Sequence, residues 1–128
     1  MEENDLLKDR IKLFCQDSGA FEVEKDKYQV INVSNSLQFL DKAVGLKVIE
    51  RIKENLPVGG FVVLAGFTTG DPFYQKTLNH CFFEPEELKN LFSDFEIIFY
   101  EEKIITDSGH PGFEKPHQHA VVRMVAKK

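Results

Sequence analysis

The segment YQVINVSNSLQFL (28–40), DKAVGLKVIERIKENLPVGG (41–60), FVVLAGF (61–67) decides the fold. Tyr28–Val33 is rich in β-branched and aromatic residues and apolar on both faces toward its end, which predicts a central parallel strand. Ser34–Gln38 breaks that strand with small polar residues. Asp41 is placed to cap a helix in which Val44, Val48, Ile49, Ile52 and Leu56 recur at spacings of three and four, giving one apolar stripe. Lys47, Glu50, Arg51, Lys53 and Glu54 take the wet face. Pro57 and Gly59-Gly60 end the helix and turn the chain. Phe61–Phe67 is nearly all apolar and reads as a strand buried on both faces. Two such strands joined by one helix run parallel, with a right-handed crossover.

Upstream, Asn4 or Asp5 can cap a short helix over Leu6–Arg10. Ile11–Cys15 reads as a short strand and Gln16–Gly19 as its exit loop; Phe21–Lys27 is irregular or weakly extended. Downstream, Thr68–Cys81 carries Gly70, Asp71, Pro72 and Asn79 with no period, and a loop of that length is usually functional or mobile. Glu84-Pro85-Glu86-Glu87 is a helix start, with proline in the first turn and acids facing the positive end of the dipole. Leu88, Leu91 and Phe92 give that helix its apolar side. The preceding Phe82-Phe83 pair either staples into it or walls a pocket. Phe95–Tyr100 and Lys103–Thr106 form one long strand or a bent pair, with Glu101-Glu102 as a solvated charge pair between them. After the loop Asp107–His119, AVVRMVA (120–126) closes the chain as a strand; lacking an intervening helix, it pairs antiparallel with the strand before it. The order of elements predicts one α/β domain over residues 1–128. Its architecture is a three-layer sandwich, a mostly parallel sheet with a C-terminal antiparallel strand pair.

The composition is that of a soluble globular domain: 42% of residues are hydrophobic and 29% charged. Twelve Phe and no Trp make phenylalanine the main aromatic of the core. The net charge of −5, with Lys and Arg scattered among acids, argues against nucleic acid or an anionic membrane surface as partner. No segment approaches the roughly 18 consecutive apolar residues of a membrane span. The acidic start MEENDLLKDR is not a signal peptide. Cys15 and Cys81 lie in apolar surroundings and read as two buried, reduced thiols, the pattern of a cytoplasmic protein.

Several pieces in this order resemble the C-terminal two-thirds of a class I S-adenosylmethionine-dependent methyltransferase of the tellurite-resistance and ubiquinone-biosynthesis type. They are CQD (15–17), YQVINVSNSLQFL (28–40), KENLPVGGFVVLAGF (53–67), EPEELKNLFSDFEIIFYEE (84–102) and AVVRMVAKK (120–128). The Leu56 to Gly59-Gly60 turn after an amphipathic helix is the most specific of them. The resemblance implies a partial Rossmann-like methyltransferase fold, with Ile11–Cys15 as the family's third strand and Tyr28–Val33 as its fourth. It also implies S-adenosylmethionine as cofactor and a small-molecule methyl acceptor. Asp17 matches the acidic residue that holds the adenine amino group, a task that suits a pure acceptor. Asn32, Ser34 and Asn35 match the loop lining the methionine and sulfonium end. The family's glycine-rich loop and the acid that grips the ribose are absent from the sequence, which implies a truncated member. The strands that flank Ile11–Cys15 in the family are absent with them, so this segment pairs elsewhere, stays irregular, or pairs with a second chain in a homodimer. The alternative to an enzyme is therefore a catalytically incomplete remnant acting as a dimeric or regulatory binding module.

His110, His117 and His119, with Asp107 nearby, are the one cluster with metal-ligand chemistry. An H-x-H pair in a strand points both rings to one face, and neutral imidazoles suit zinc. No cysteine or tightly spaced further ligand completes a known pattern, so the sequence assigns no metal. It ranks the loop first as solvated and then as an acceptor-side loop with a histidine base.

Overall fold

The structure, a computed structural model, describes residues 10–128. It is α/β: an open four-stranded sheet with helices, in strand order β1-β2-β4-β3. β1 is Val30–Ser34, α1 Lys42–Asn55, β2 Phe61–Phe67, α2 Glu87–Leu91, β3 Glu96–Asp107 and β4 His117–Lys127; Leu37–Phe39 and Lys76–Leu78 are single 3-10 turns. β1 and β2 pair in parallel through the α1 crossover, from Val30 against Phe61 to Ser34 against Ala65. β4 runs antiparallel to both β2 and β3 and lies between them, so β1, β2 and β3 all point one way. The expected α/β sheet with a C-terminal antiparallel strand pair is thus observed; one of its three pairings is parallel and two are antiparallel.

Both helices lie on one face of the sheet. Leu37, Ile49, Ile52 and Leu56 from the α1 side meet Leu88 and Phe92 from the α2 side over Val62, Leu64, Val122, Met124 and Ala126. The helices are tied to each other by the Lys42–Glu87 ion pair and by the Lys53 ammonium, which donates to the Leu91 carbonyl. Alternation along β2 puts Val62, Leu64 and Gly66 on this covered face. Phe61, Val63, Ala65 and Phe67 are half-buried on the other, so β2 is not buried equally on both faces.

α1 follows its apolar stripe as predicted, but its start is held differently. The Asp41 carboxylate makes no capping bond; the Lys42 N–H, an orphan donor of the first turn, is taken by the Asn79 carbonyl at 2.8 Å. The turn at Gly59 needs φ of +87°, which glycine adopts without strain. Its N–H donates to the Lys128 carbonyl, fastening the crossover to the end of β4.

The structure corrects some expectations and decides between others. Ile11–Cys15 forms no strand; among the described residues it finds no backbone partner, and Ile11, Leu13 and Phe14 are exposed. The β1 strand starts at Val30, two residues later than expected, and is an edge rather than a centre of the described sheet, with Val30, Asn32 and Ser34 facing out. α2 begins at Glu87 because Glu86 sits in the left-handed region (φ 62°), which no helix can continue through. The strand after it is one continuous element with a register shift between Ile97 and Phe99. Phe82 and Phe83 are both buried. Cys81 is buried but Cys15 is exposed. Glu102 is not merely solvated: it accepts from the Tyr100 hydroxyl at 2.6 Å and from the Glu86 N–H at 2.8 Å. The helix expected over Leu6–Arg10 lies outside the described residues except for Arg10. No helix of the described residues is long and apolar enough to cross a membrane.

Candidate functional site

Two cavities adjoin the sheet. The larger, about 960 Å³, is an open groove beside the free edge of β1, floored by Val30–Ser34 and walled by residues from the irregular 10–28 segment. Asn32 and Ser34 line it, their side chains hydrogen-bonded to each other. Gln16 and Ser18 line it too, while the Asp17 carboxylate turns back to accept from the Gly19 N–H at 2.8 Å through Oδ1.

The smaller cavity, about 290 Å³, sits over the open face beyond β1 and β2. Asn35, left-handed at φ 55° and donating its N–H to the Ala65 carbonyl, stands on one side; Asp107, His110 and His119 stand on the other. Gln38 also lines it, and its Oε1 is a buried acceptor with no hydrogen-bond partner. The structure therefore brings Asn35 together with the histidine loop and leaves Asn32 and Ser34 in the other groove, with Asp17 between the lining residues Gln16 and Ser18 but turned back onto Gly19.

The β3–β4 hairpin builds the histidine cluster. His117 and His119 alternate with exposed Gln118 at the start of β4, so both rings project from one side of the strand. Their Nε2 atoms are 2.9 Å apart. Asp107 ends β3, its carboxyl held below the usual range chiefly by the Gly109 N–H, with the histidines adding to the effect. Phe67 stacks on His119 at 4.6 Å between centroids, and Phe113 packs edge-on to His117 at 4.5 Å.

Asp71 organises this cluster from the β2–α2 loop. Its side chain is fully buried; Oδ2 accepts from His119 Nδ1 at 3.0 Å and from the Ala120 N–H at 2.9 Å, and Oδ1 accepts from the Phe73 N–H at 2.8 Å. Sequence reading passed over both Asp71 and Gln38. Asp71 stands in the sequence only as one residue of the aperiodic loop Thr68–Cys81, and the partner that gives it its role lies 48 positions away. Gln38 ends the strand-breaking polar run Ser34–Gln38 and carries no periodic signal.

Comparison with known proteins follows the same lines. The family profile described as tellurite resistance protein TehB matches residues 4–109. The crystal structure of TehB from Haemophilus influenzae superposes with a TM-score of 0.74 at 20% identity, covering 98% of this chain and 44% of that one. A SAM-dependent methyltransferase from Methanosarcina mazei gives 0.61 at 14% identity, over 88% of this chain and 65% of that one. The N-methyltransferase NodS from Bradyrhizobium japonicum gives 0.54 at 13%, over 88% and 57%. The chain thus spans less than half of the Haemophilus protein's length. No curated protein sequence matches it. These likenesses share the fold, and the profile match over most of the sequence places the chain in the TehB tellurite resistance protein family.

Proposed function

We propose that the chain takes part in moving a methyl group from S-adenosylmethionine to a small acceptor, with tellurite among the acceptors the family name suggests. One observation carries the reading: the 290 Å³ cavity in which Asn35, Gln38 and the histidine loop face each other. A buried acceptor without a partner costs on the order of 1–3 kcal/mol, so Gln38 Oε1 is suited to a ligand N–H or O–H.

The described residues fit one flank of S-adenosylmethionine. Asp17 keeps its second carboxylate oxygen for the adenine amino group. Asn32, Ser34 and Asn35 offer small polar contacts toward the methionine and sulfonium end. When bound, the cofactor supplies an electrophilic methyl group on sulfur. The chain's own part is alignment: Asn35 and Gln38 hold the ligand's polar atoms, and Phe67 supplies an apolar wall. His110, exposed at the mouth, and His117 and His119 behind it stand on the acceptor side.

The reading extends to a homodimer in the cytoplasm. Two free thiols support the compartment, and the exposed Ile98, Phe99 and Ile104 on the β3 edge support self-association. A native mass spectrum showing only monomer at micromolar concentration would remove the dimer.

Calorimetric titration of the chain with S-adenosylhomocysteine tests the cofactor. A saturable signal that weakens in Asn35→Ala and Asp17→Ala is expected. No signal at millimolar ligand overturns the reading for this chain.

A further inference from the structure

We propose that Asp107, His110, His117 and His119 form a binding site for a divalent transition-metal ion of the zinc class. Each offers one ligand atom, and the four atoms lie within 4.8 Å of one another. The set is a site rather than a histidine-rich turn because of where every other polar atom of these side chains is already committed.

His117 Nδ1 faces the Lys115 carbonyl at 2.8 Å, and a carbonyl only accepts, so the proton of this ring sits on Nδ1 and the Nε2 lone pair is free. His119 Nδ1 likewise donates to the Asp71 carboxylate. His110 Nδ1 lies 3.2 Å from the Pro111 carbonyl, which fixes the same tautomer. On Asp107, Oδ1 accepts the Gly109 N–H at 2.8 Å and Oδ2 is left, 3.8 Å from His117 Nε2. All three imidazoles and the carboxylate thus keep one ligand atom uncommitted, in a cluster whose ligand atoms lie within 4.8 Å of one another. Backbone carbonyls and a buried carboxylate fix the ring orientations, which is the arrangement of outer partners around metal-bound histidine.

The 2.9 Å separation of His117 Nε2 and His119 Nε2 sharpens this. Both Nδ1 protons are spent, so two lone pairs face each other and only a positive centre, a proton or a metal ion, can lie between them. Atoms around a tetrahedral ion with bonds of about 2.0–2.1 Å stand roughly 3.3 Å apart. The observed 2.9 and 3.8 Å bracket that spacing. Three imidazole nitrogens and one carboxylate oxygen select zinc, cobalt, nickel or copper over magnesium or calcium, which take oxygen. Phe67, Phe73 and Phe113 pack on the rings, and on the inner side His119 and Asp71 are buried. The outer side, with His110 exposed, faces the 290 Å³ cavity.

The inference rests on these side chains and not on methyl transfer, so its test uses metal alone. Purified chain, stripped with chelator, is titrated with Zn²⁺ against a chromogenic competitor at pH 7.5. One ion per chain is expected, with a rise in Tm, and stoichiometric binding is lost in His117→Ala and His119→Ala but kept in His80→Ala. Asp71→Asn, which replaces the carboxylate that accepts from His119 Nδ1 and from the Ala120 and Phe73 N–H groups, weakens binding about 10–100-fold. If a buried-histidine variant fails to fold, His110→Ala and Asp107→Asn on the outer side, together with the visible ligand-field bands of the Co²⁺-loaded chain, decide the matter. Absence of stoichiometric binding in the unmodified chain, cobalt bands of a six-coordinate aquo ion, or binding unchanged in His110→Ala and Asp107→Asn overturns it and leaves a shared proton between the two rings.

Discussion

The two faces of the sheet are built on different principles. The helix-covered face is apolar and dry: Val62, Leu64, Val122, Met124 and Ala126 are at most 1% exposed. The open face carries half-buried Val63, Ala65 and Phe67, an exposed Arg123, and a polar cluster hung on one buried carboxylate. Stability on the first face comes from many interchangeable contacts. Order on the second comes from a few directional bonds, and those are what a ligand can use.

The largest test of that contrast is Phe83→Ala on the covered side, where the ring is 1% exposed. It should cost about 3–5 kcal/mol in urea unfolding; a loss under about 1 kcal/mol would mean this face does not dominate stability. Next, Asp71→Ala removes three hydrogen bonds and strands the Ala120 N–H and His119. A loss of about 3 kcal/mol is expected, with chemical-shift changes confined to the β3–β4 hairpin and the β2–α2 loop. Shifts spreading through α1 and α2 would show that the two faces are not independent.

A third test uses pH. Burial pushes the Cys81 thiol up to about 11 from an ordinary 9.0, ahead of the opposing pull of Lys42. The folded state therefore holds this proton more tightly than the unfolded chain. The stabilisation is complete below pH 9 and fades as pH rises from 9 to 11, by about 2–3 kcal/mol. Cys81→Ala should lack that part of the slope, and in the native protein an alkylating reagent should label exposed Cys15 long before Cys81. Equal labelling would contradict the dry interior. The smallest effect belongs to Ile104, 67% exposed on β3. Ile104→Thr should change monomer stability by less than about 0.5 kcal/mol while reducing any self-association seen by sedimentation.

The covered face was largely legible in the sequence, since its information is periodic. The three- and four-residue spacing from Val44 to Leu56 marked α1 nearly to the residue, and the apolar run of 61–67 marked β2. Failures came where a partner decides. Ile11–Cys15 has strand composition, but a strand exists only beside another, and none of the described residues pairs with it. Glu86 looked like a first helical turn until its positive φ moved the helix start. Asp107, His110, His117 and His119 were visible as a cluster of residue types. Their convergence depends on the hairpin register that sets Asp107 against His117 and Ile105 against His119, and on Asp71, and no local pattern encodes either.

The place of β4 in the sheet has a consequence for synthesis. β2 and β3 are joined only through β4, although β4 is made after both. Until 117–127 are in place, 61–67 and 96–107 have no backbone pairing with each other. The sheet cannot close until 117–127 thread between them, a long-range step of the kind that slows folding. Until then, a chaperone or a neighbouring nascent chain competes for the same slot.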